Sequence, residues 1–177
     1  LRNLAIDFVV FVDDDQYVRP DSIINLWEQR APGAMVSWFG KAWNKPMMSY
    51  WGPTFGYHEV TNHLPYPREW HYAGTGMSVV DAMIFSDARV FHIPKHFAFV
   101  EDLWLSYIIK VNSWKLTRAF IDFSEDRQLS NKGQWSTLKQ RKEDMFALLQ
   151  KCDTKLISHK DYQKIWLISR GSSPRHT

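Results

Sequence analysis

Cysteine is almost missing from this chain. Cys152 stands alone among 177 residues, so no intrachain disulfide can form and a multi-cysteine zinc site is excluded. Cohesion must come from packing, which a chain of this length can supply as one domain. No apolar stretch reaches the length of a membrane span, and the first residues lack the charged-then-apolar order of a signal peptide. A cytoplasmic or cytoplasm-facing protein with no transmembrane segment is expected, provided that no leader precedes Leu1. The missing initiator Met at that position fits a fragment or trimmed chain.

Charge of one sign is also scarce. The formal net charge is +3 with acids and bases interspersed, and no dense Lys/Arg stripe of the kind that grips nucleic acid is present. Residues 139–142, Lys-Gln-Arg-Lys, come closest and read as a solvated helix face. No nucleic-acid partner is expected. Internal repeats and low-complexity linkers are absent, so residues 1–170 read as a single domain and residues 171–177 as a disordered tail. The seven histidines show no His-x-x-x-His spacing, and none, His159 included, is assigned to a metal.

What the chain does have is acid at two structured corners. Asp13, Asp14 and Asp15 close the apolar run of residues 7–12, which reads as a buried strand, and lead into a helical pattern over residues 20–30 carried by Ile23, Ile24 and Trp27. The triplet therefore sits on a strand-to-helix turn, where ligands bind in open α/β sheets. Like charges crowded there call for a neutralising cation, and a hard divalent ion suits carboxylate oxygens. A solvated turn rich in Asp is the competing reading.

The second corner is Glu101 and Asp102, ahead of an amphipathic helix whose inward face is Leu103, Trp104, Tyr107, Ile108 and Val111. Strands are expected over residues 34–39, 74–80 and 115–121, and helices over 136–151 and 160–168. The helix over 136–151 carries Leu138, Met145, Leu148 and Leu149 on one face. A proline-punctuated segment holding Trp43, Tyr50, Trp51, Phe55, Tyr57, Tyr66, Trp70 and Tyr72 lies before residue 74; for any one of these aromatics core packing is favoured over a sugar platform.

In order, Phe11-Val12-Asp13-Asp14-Asp15, Arg19-Pro20-Asp21, Ala73-Gly74-Thr75-Gly76-Met77 and Val100-Glu101-Asp102-Leu103-Trp104 resemble the landmarks of a GT-A-type, family 2-like glycosyltransferase. The resemblance covers roughly residues 5 to 121. It departs from the family in lacking the first βα units, which form much of the pocket for the nucleotide base, and in having Asn112-Ser113 where a glycine usually precedes Trp114. It implies an α/β fold, a GT-A-like (Rossmann-like) mixed sheet flanked by helices, and transfer of a sugar from a nucleotide-diphosphate donor, UDP-linked by preference, to a glycan or other hydroxyl acceptor with inversion.

By position the resemblance gives Asp15 and Asp13 to a Mn²⁺ or Mg²⁺ ion, and Asp13, Asp14, Gly74 and Gly76 to the donor. Asp102 becomes the base that takes the acceptor's proton, with Glu101 assisting. Helix capping is the plainer reading of the Glu101 and Asp102 pair. A simple turn is the plainer reading of Gly74 and Gly76, since a third glycine and following helix are absent and no dinucleotide fingerprint results. Two other functions stay open: metal-dependent nucleotidyl transfer and a truncated, non-catalytic glycan-binding domain.

Overall fold

A computed structural model describes residues 5–14, 16–43, 49–51, 54–55, 69–121, 127–128 and 137–151. Asp15, the expected helix over 160–168 and the tail 171–177 lie outside the described residues. The elements run β1 (Phe8–Phe11), β2 (Gln16–Tyr17), α1 (Pro20–Glu28), β3 (Ala34–Ser37), β4 (Gly40–Trp43), β5 (Thr54–Phe55), β6 (Tyr72–Ala73) and β7 (Ser78–Asp81). Three short 3₁₀ segments (Ala82–Ser86, Ala88–Phe91, Lys95–Phe97) lead to α2 (Glu101–Val111), β8 (Lys115–Arg118), β9 (Arg127–Gln128) and α3 (Lys139–Lys151).

The main sheet has four strands in the order β1-β7-β3-β8. β3 runs parallel to β8, and β7 is antiparallel to both of its neighbours. The molecule is thus mixed α/β. The two inner strands, β3 and β7, are buried at every position, whereas β1 at an edge is half-buried throughout. Strands covered on both faces need continuous apolar or small residues, and Ala34-Met35-Val36-Ser37 and Ser78-Val79-Val80-Asp81 supply them.

Alternation along these strands divides the core in two. Met35, Val80 and Leu116, with Val9 and Phe11 beside them, point into a large cluster with Leu103, Trp104, Ile108 and Met145 from α2 and α3. Val36 and Val79, with Phe8 and Val10, point the other way, onto Leu26 and Ile23 of α1. Helices therefore cover both faces. Pro20 starts α1 with its ring at the first turn, where its missing N–H is no loss, and Asp21 adds a favourable charge there.

The expected strands and helices are present within the described residues, with shorter ends, except that the strand expected over 74–80 begins only at Ser78 and runs on to Asp81. β3 stops at Ser37 because the chain turns there, with the Ser37 hydroxyl donating to the carbonyls of Phe39 and Gly74 at 2.8 and 2.7 Å. The 3₁₀ segments over residues 82–97 carry no helical or alternating apolar period, and no element is expected there from pattern. Instead Asp81 and Asp87 side chains accept the backbone N–H groups of Met83 and Arg89, starting one short turn after another.

α2 is more deeply set than its pattern predicts. Every residue from Leu103 to Ile109 is buried, including Leu105, Ser106 and Ile109 outside the expected inward face. The sheet covers one side and the 3₁₀ segments and α3 cover others, so a stripe is not enough. Ser106, the polar member, bonds both ways to β6: it takes the Ala73 N–H at 3.0 Å and donates to the Ala73 carbonyl at 2.8 Å.

The end of α2 explains the departure at Asn112-Ser113-Trp114. Ser113 donates to the Lys110 carbonyl at 2.9 Å and Trp114 to that of Ile109 at 3.0 Å, the paired bonds of a Schellman turn. Ser113 carries the left-handed conformation that such a turn needs, φ 60°. Serine stands where glycine would sit without strain.

Candidate functional site

The two acidic corners are joined by one stretch of chain, residues 72–78. At one end, β7 pairs with β1 so that Phe11 faces Ser78, and continuing the register sets Gly76 across from Asp13. The approach is close: a Cβ on Gly76 would lie 2.2 Å from Asp13 Oδ2. No side chain fits there while the carboxylate keeps its place. Gly76 thus serves close approach and not a left-handed turn, which falls instead on the next residue, Met77, at φ 54°. Gly74 is a different case, since the space above it belongs to the Phe39 ring, which a Cβ at this position would meet at 2.5 Å. Its role is packing.

Asp13 and Asp14 are both exposed, and so is Val12 beside them. The short β2–β9 ribbon holds Gln16 next to this corner, with its Nε2 3.5 Å from Asp13 Oδ2. The Gln16 Oε1 atom is buried and has no hydrogen-bond partner among the described residues. The Gln16 amide turns its N–H side to Asp13, and the exposed carboxylates of Asp13 and Asp14 are the hard oxygen donors that suit a divalent cation. Among the described residues no three His, Cys, Asp or Glu side chains gather at one point. Asp15, the remaining member of the triplet, lies outside them.

At the other end of the stretch, the Tyr72 hydroxyl donates to Asp102 Oδ2. The same oxygen accepts Lys142 Nζ of α3 at 2.9 Å, and Oδ1 accepts the Leu103 N–H at 2.7 Å. Asp102 is therefore neither a plain cap nor an unengaged carboxylate. The N-cap position belongs to Val100, which offers no side-chain cap, so Asp102 compensates one helix N–H from inside the first turn. Glu101 precedes it and is exposed. Phe99, just ahead of the pair, is held at φ 71° with its ring exposed. Left-handed conformations at non-glycine residues thus occur beside both corners, at Met77 and Phe99, and such strain clusters at functional sites.

Lys142 and Asp102 are mostly buried, with side chains 12% and 16% exposed. This corrects the reading of residues 139–142 as a solvated face: Lys139, Gln140 and Arg141 are exposed, but Lys142 turns inward to the ion pair. Burial works against its charge, yet Asp102 and Tyr50 outweigh that and hold the ammonium above its ordinary pKa. Burial, then Asp102 and Tyr50, push the Tyr72 phenol well above its usual value, so it remains a donor.

A second lysine backs this cluster. β4 pairs with β6 so that Lys41 lies opposite Tyr72. Lys41 is buried, donates to the Tyr50 carbonyl at 3.0 Å and sits 3.8 Å from the Tyr50 ring centroid. Burial, with Lys142 adding to it, lowers its pKa to about 8 against the pull of Glu143 and Asp102. Glu143 accepts the Ser49 hydroxyl and the Tyr50 N–H, both at 3.0 Å. Tyr50, Tyr72 and Trp70 are core residues, in line with the expectation for the aromatic segment; Tyr57 and Tyr66 lie outside the described residues.

Lys41, Lys142 and Glu143 carry no motif, and no feature of the sequence singles them out. The one signal that could have found any of them is the parity of β4, which puts Lys41 on the side of Tyr72 once the pairing is known. Comparison of the chain with protein-family models, with curated proteins and with solved structures returns no match. Among the described residues no helix is long and apolar enough to cross a membrane.

Proposed function

We propose that this chain is the catalytic part of a GT-A-like, metal-dependent glycosyltransferase that moves a sugar from a nucleotide-diphosphate donor to a hydroxyl acceptor. One observation carries the reading: residues 72–78 touch Asp13 through Gly76 and Asp102 through Tyr72. Five residues of extended chain span at most about 18 Å, so the backbone positions that meet the two corners lie within that reach of each other. Motifs far apart in sequence are thereby neighbours.

Asp13, with Asp15, would hold Mn²⁺ or Mg²⁺; when bound, the ion neutralises the diphosphate leaving group as negative charge develops on it. Asp14 and the Gly76 backbone are left to meet the donor. Gly74, filled over by Phe39, contributes by shaping the turn. Asp102 is the residue for the acceptor proton, and Glu101 stands exposed beside it. To act, Asp102 must exchange one Oδ2 partner for the acceptor hydroxyl. The Tyr72 hydroxyl is the partner that gives way; Lys142 stays as the counter-ion, and the Leu103 N–H on Oδ1 keeps the carboxylate's orientation. Inversion follows if the acceptor oxygen, giving its proton to this base, bonds to the anomeric carbon on the side opposite the diphosphate as the bond to the diphosphate breaks and the nucleoside diphosphate leaves.

The test is a panel of nucleotide-diphosphate sugars screened for Mn²⁺-dependent thermal stabilisation, since a ligand that binds the folded state raises its stability. A donor that shifts the melting temperature with Mn²⁺, loses the shift with EDTA and loses it in Asp13→Ala supports the reading. A shift only with nucleoside triphosphates, with release of pyrophosphate on turnover, would replace it by nucleotidyl transfer. Carbohydrate binding with no response to any nucleotide sugar would leave a glycan-binding domain.

A further inference from the structure

Along the start of α3 lies a cavity of about 380 Å³, lined by Ser49, Trp51, Thr137, Lys139, Gln140 and Glu143. Its size falls within the range of small-molecule sites, about 300–1,000 Å³. Only one lining residue is aromatic. The Trp51 indole N–H is already given to the Lys139 carbonyl at 3.3 Å, and the ring has Tyr50 against it and Lys41 and Lys139 Nζ at 4.6 and 5.4 Å from its centroid. A ligand therefore reaches its carbon surface where the exposed Lys139 side chain swings aside.

The polar lining is equally specific. Glu143 Oε2 takes the bonds from Ser49 and Tyr50, and among the described residues Oε1 has no donor. Gln140 gives its N–H to Asp144 at 2.8 Å, which leaves its carbonyl oxygen as an acceptor. Lys139 supplies donors. An apolar plate ringed by both donors and acceptors suits a neutral polyhydroxylated ring, whose C–H face stacks while each hydroxyl gives and takes one bond. A simple anion would meet Glu143, and a simple cation would meet Lys139.

We propose that this cavity binds one pyranose ring of the acceptor, stacked against Trp51 and held by Glu143 and Gln140. Its role as an acceptor subsite rests on the transferase reading; the binding of sugar does not. Glu143 holds the Tyr50 N–H, and the Tyr50 ring packs edge-on with Tyr72, the partner of Asp102, so the cavity and that carboxylate are linked through these two tyrosines.

The experiment uses the whole chain with methyl β-glucopyranoside, methyl β-galactopyranoside and N-acetylglucosamine as probes, read by saturation-transfer NMR and titration calorimetry without nucleotide. At least one probe should saturate, with no change on adding EDTA. Trp51→Ala and Glu143→Gln should each weaken it about tenfold or more, the loss expected for removing an aromatic contact or a charged hydrogen bond. Gln140→Ala, on an exposed helix position, guards against a folding failure and should weaken it several-fold with an unchanged melting temperature.

Saturation that survives all three substitutions overturns the proposal, as does silence from every pyranose while tetramethylammonium or glutamate binds. The two readings separate cleanly. Donor binding that persists while sugars ignore Trp51 leaves the transferase and removes the subsite. Trp51-dependent sugar binding with no response to nucleotide sugars leaves the cavity and removes the transferase.

Discussion

The corner at Asp13 and the corner at Asp102 use the same side chain in opposite ways. Asp102 has its counter-ion built in: Lys142 reaches it from α3, Tyr72 from β6, and the helix backbone takes the other oxygen. Asp13 and Asp14 stand exposed at a strand end, with a glycine in front of Asp13. A carboxylate supplied with an internal cation belongs to the framework as much as to chemistry. One exposed at the rim, with a glycine backbone close against it, is placed to meet a group that arrives from outside.

The largest expected effect bears on the inner corner. Lys142→Ala should cost about 3 kcal/mol of stability in urea unfolding, because it strands a mostly buried carboxylate. Replacing both partners, as Asp102→Asn with Lys142→Met, should recover most of that loss. At the outer corner Asp13→Ala and Asp14→Ala should each stay within about 0.5 kcal/mol of the parent. Similar losses at the two corners would break the contrast.

Two glycines sharpen it next. A Cβ on Gly40 would sit 2.4 Å from the Trp70 ring, in the core, so Gly40→Ala should destabilise by about 1–3 kcal/mol through overpacking. In Gly76→Ala the obstructed group is the end of an exposed Asp13 side chain, which can swing away. The melting temperature should hold within a few degrees while Mn²⁺ affinity, followed by calorimetry, falls. A large stability loss at Gly76 would make that residue structural.

A third carboxylate lies between these extremes. Arg89 and then Asn112 hold the half-buried Asp87 at a pKa of about 2, below its ordinary 3.8, against the opposing effect of burial. Its folded-state pKa is depressed, so its contribution is complete above pH 3.8 and is lost as pH falls through 2. After solvent screening this should amount to on the order of 1 kcal/mol, visible as an acid-side slope in urea midpoints that Asp87→Asn flattens. The smallest effect is a gain. Ser113→Gly, which relieves the left-handed serine after α2, should raise stability by about 0.5–1 kcal/mol in the same assay.

How far each corner can be read from sequence follows the same division. Asp13 and Asp14 are local: a strand run, a break and a proline-started helix are written in consecutive residues, and β1 and α1 lie where that pattern puts them. Glu101 and Asp102 are equally visible as the head of an amphipathic helix. Nothing local shows that Lys142, within a run of polar residues, turns inward, or that Lys41 lies opposite Tyr72. Those depend on which helix docks on which strand. The 3₁₀ segments are hidden for another reason, since they rest on single Asp-to-backbone bonds that have no period.

Periodicity and apolar runs act over neighbouring residues, and they account for the mixed α/β character, the burial of β3 and β7, and the two acidic corners. The entry of β7, antiparallel between β1 and β3, has no such local origin and belongs to the folded chain. That placement sets Gly76 against Asp13, while the pairing of β6 with β4 and its bonds to Ser106 of α2 set Tyr72 against Asp102. Strand order is fixed by how both faces of the sheet are covered at once, a condition that no short window of sequence contains.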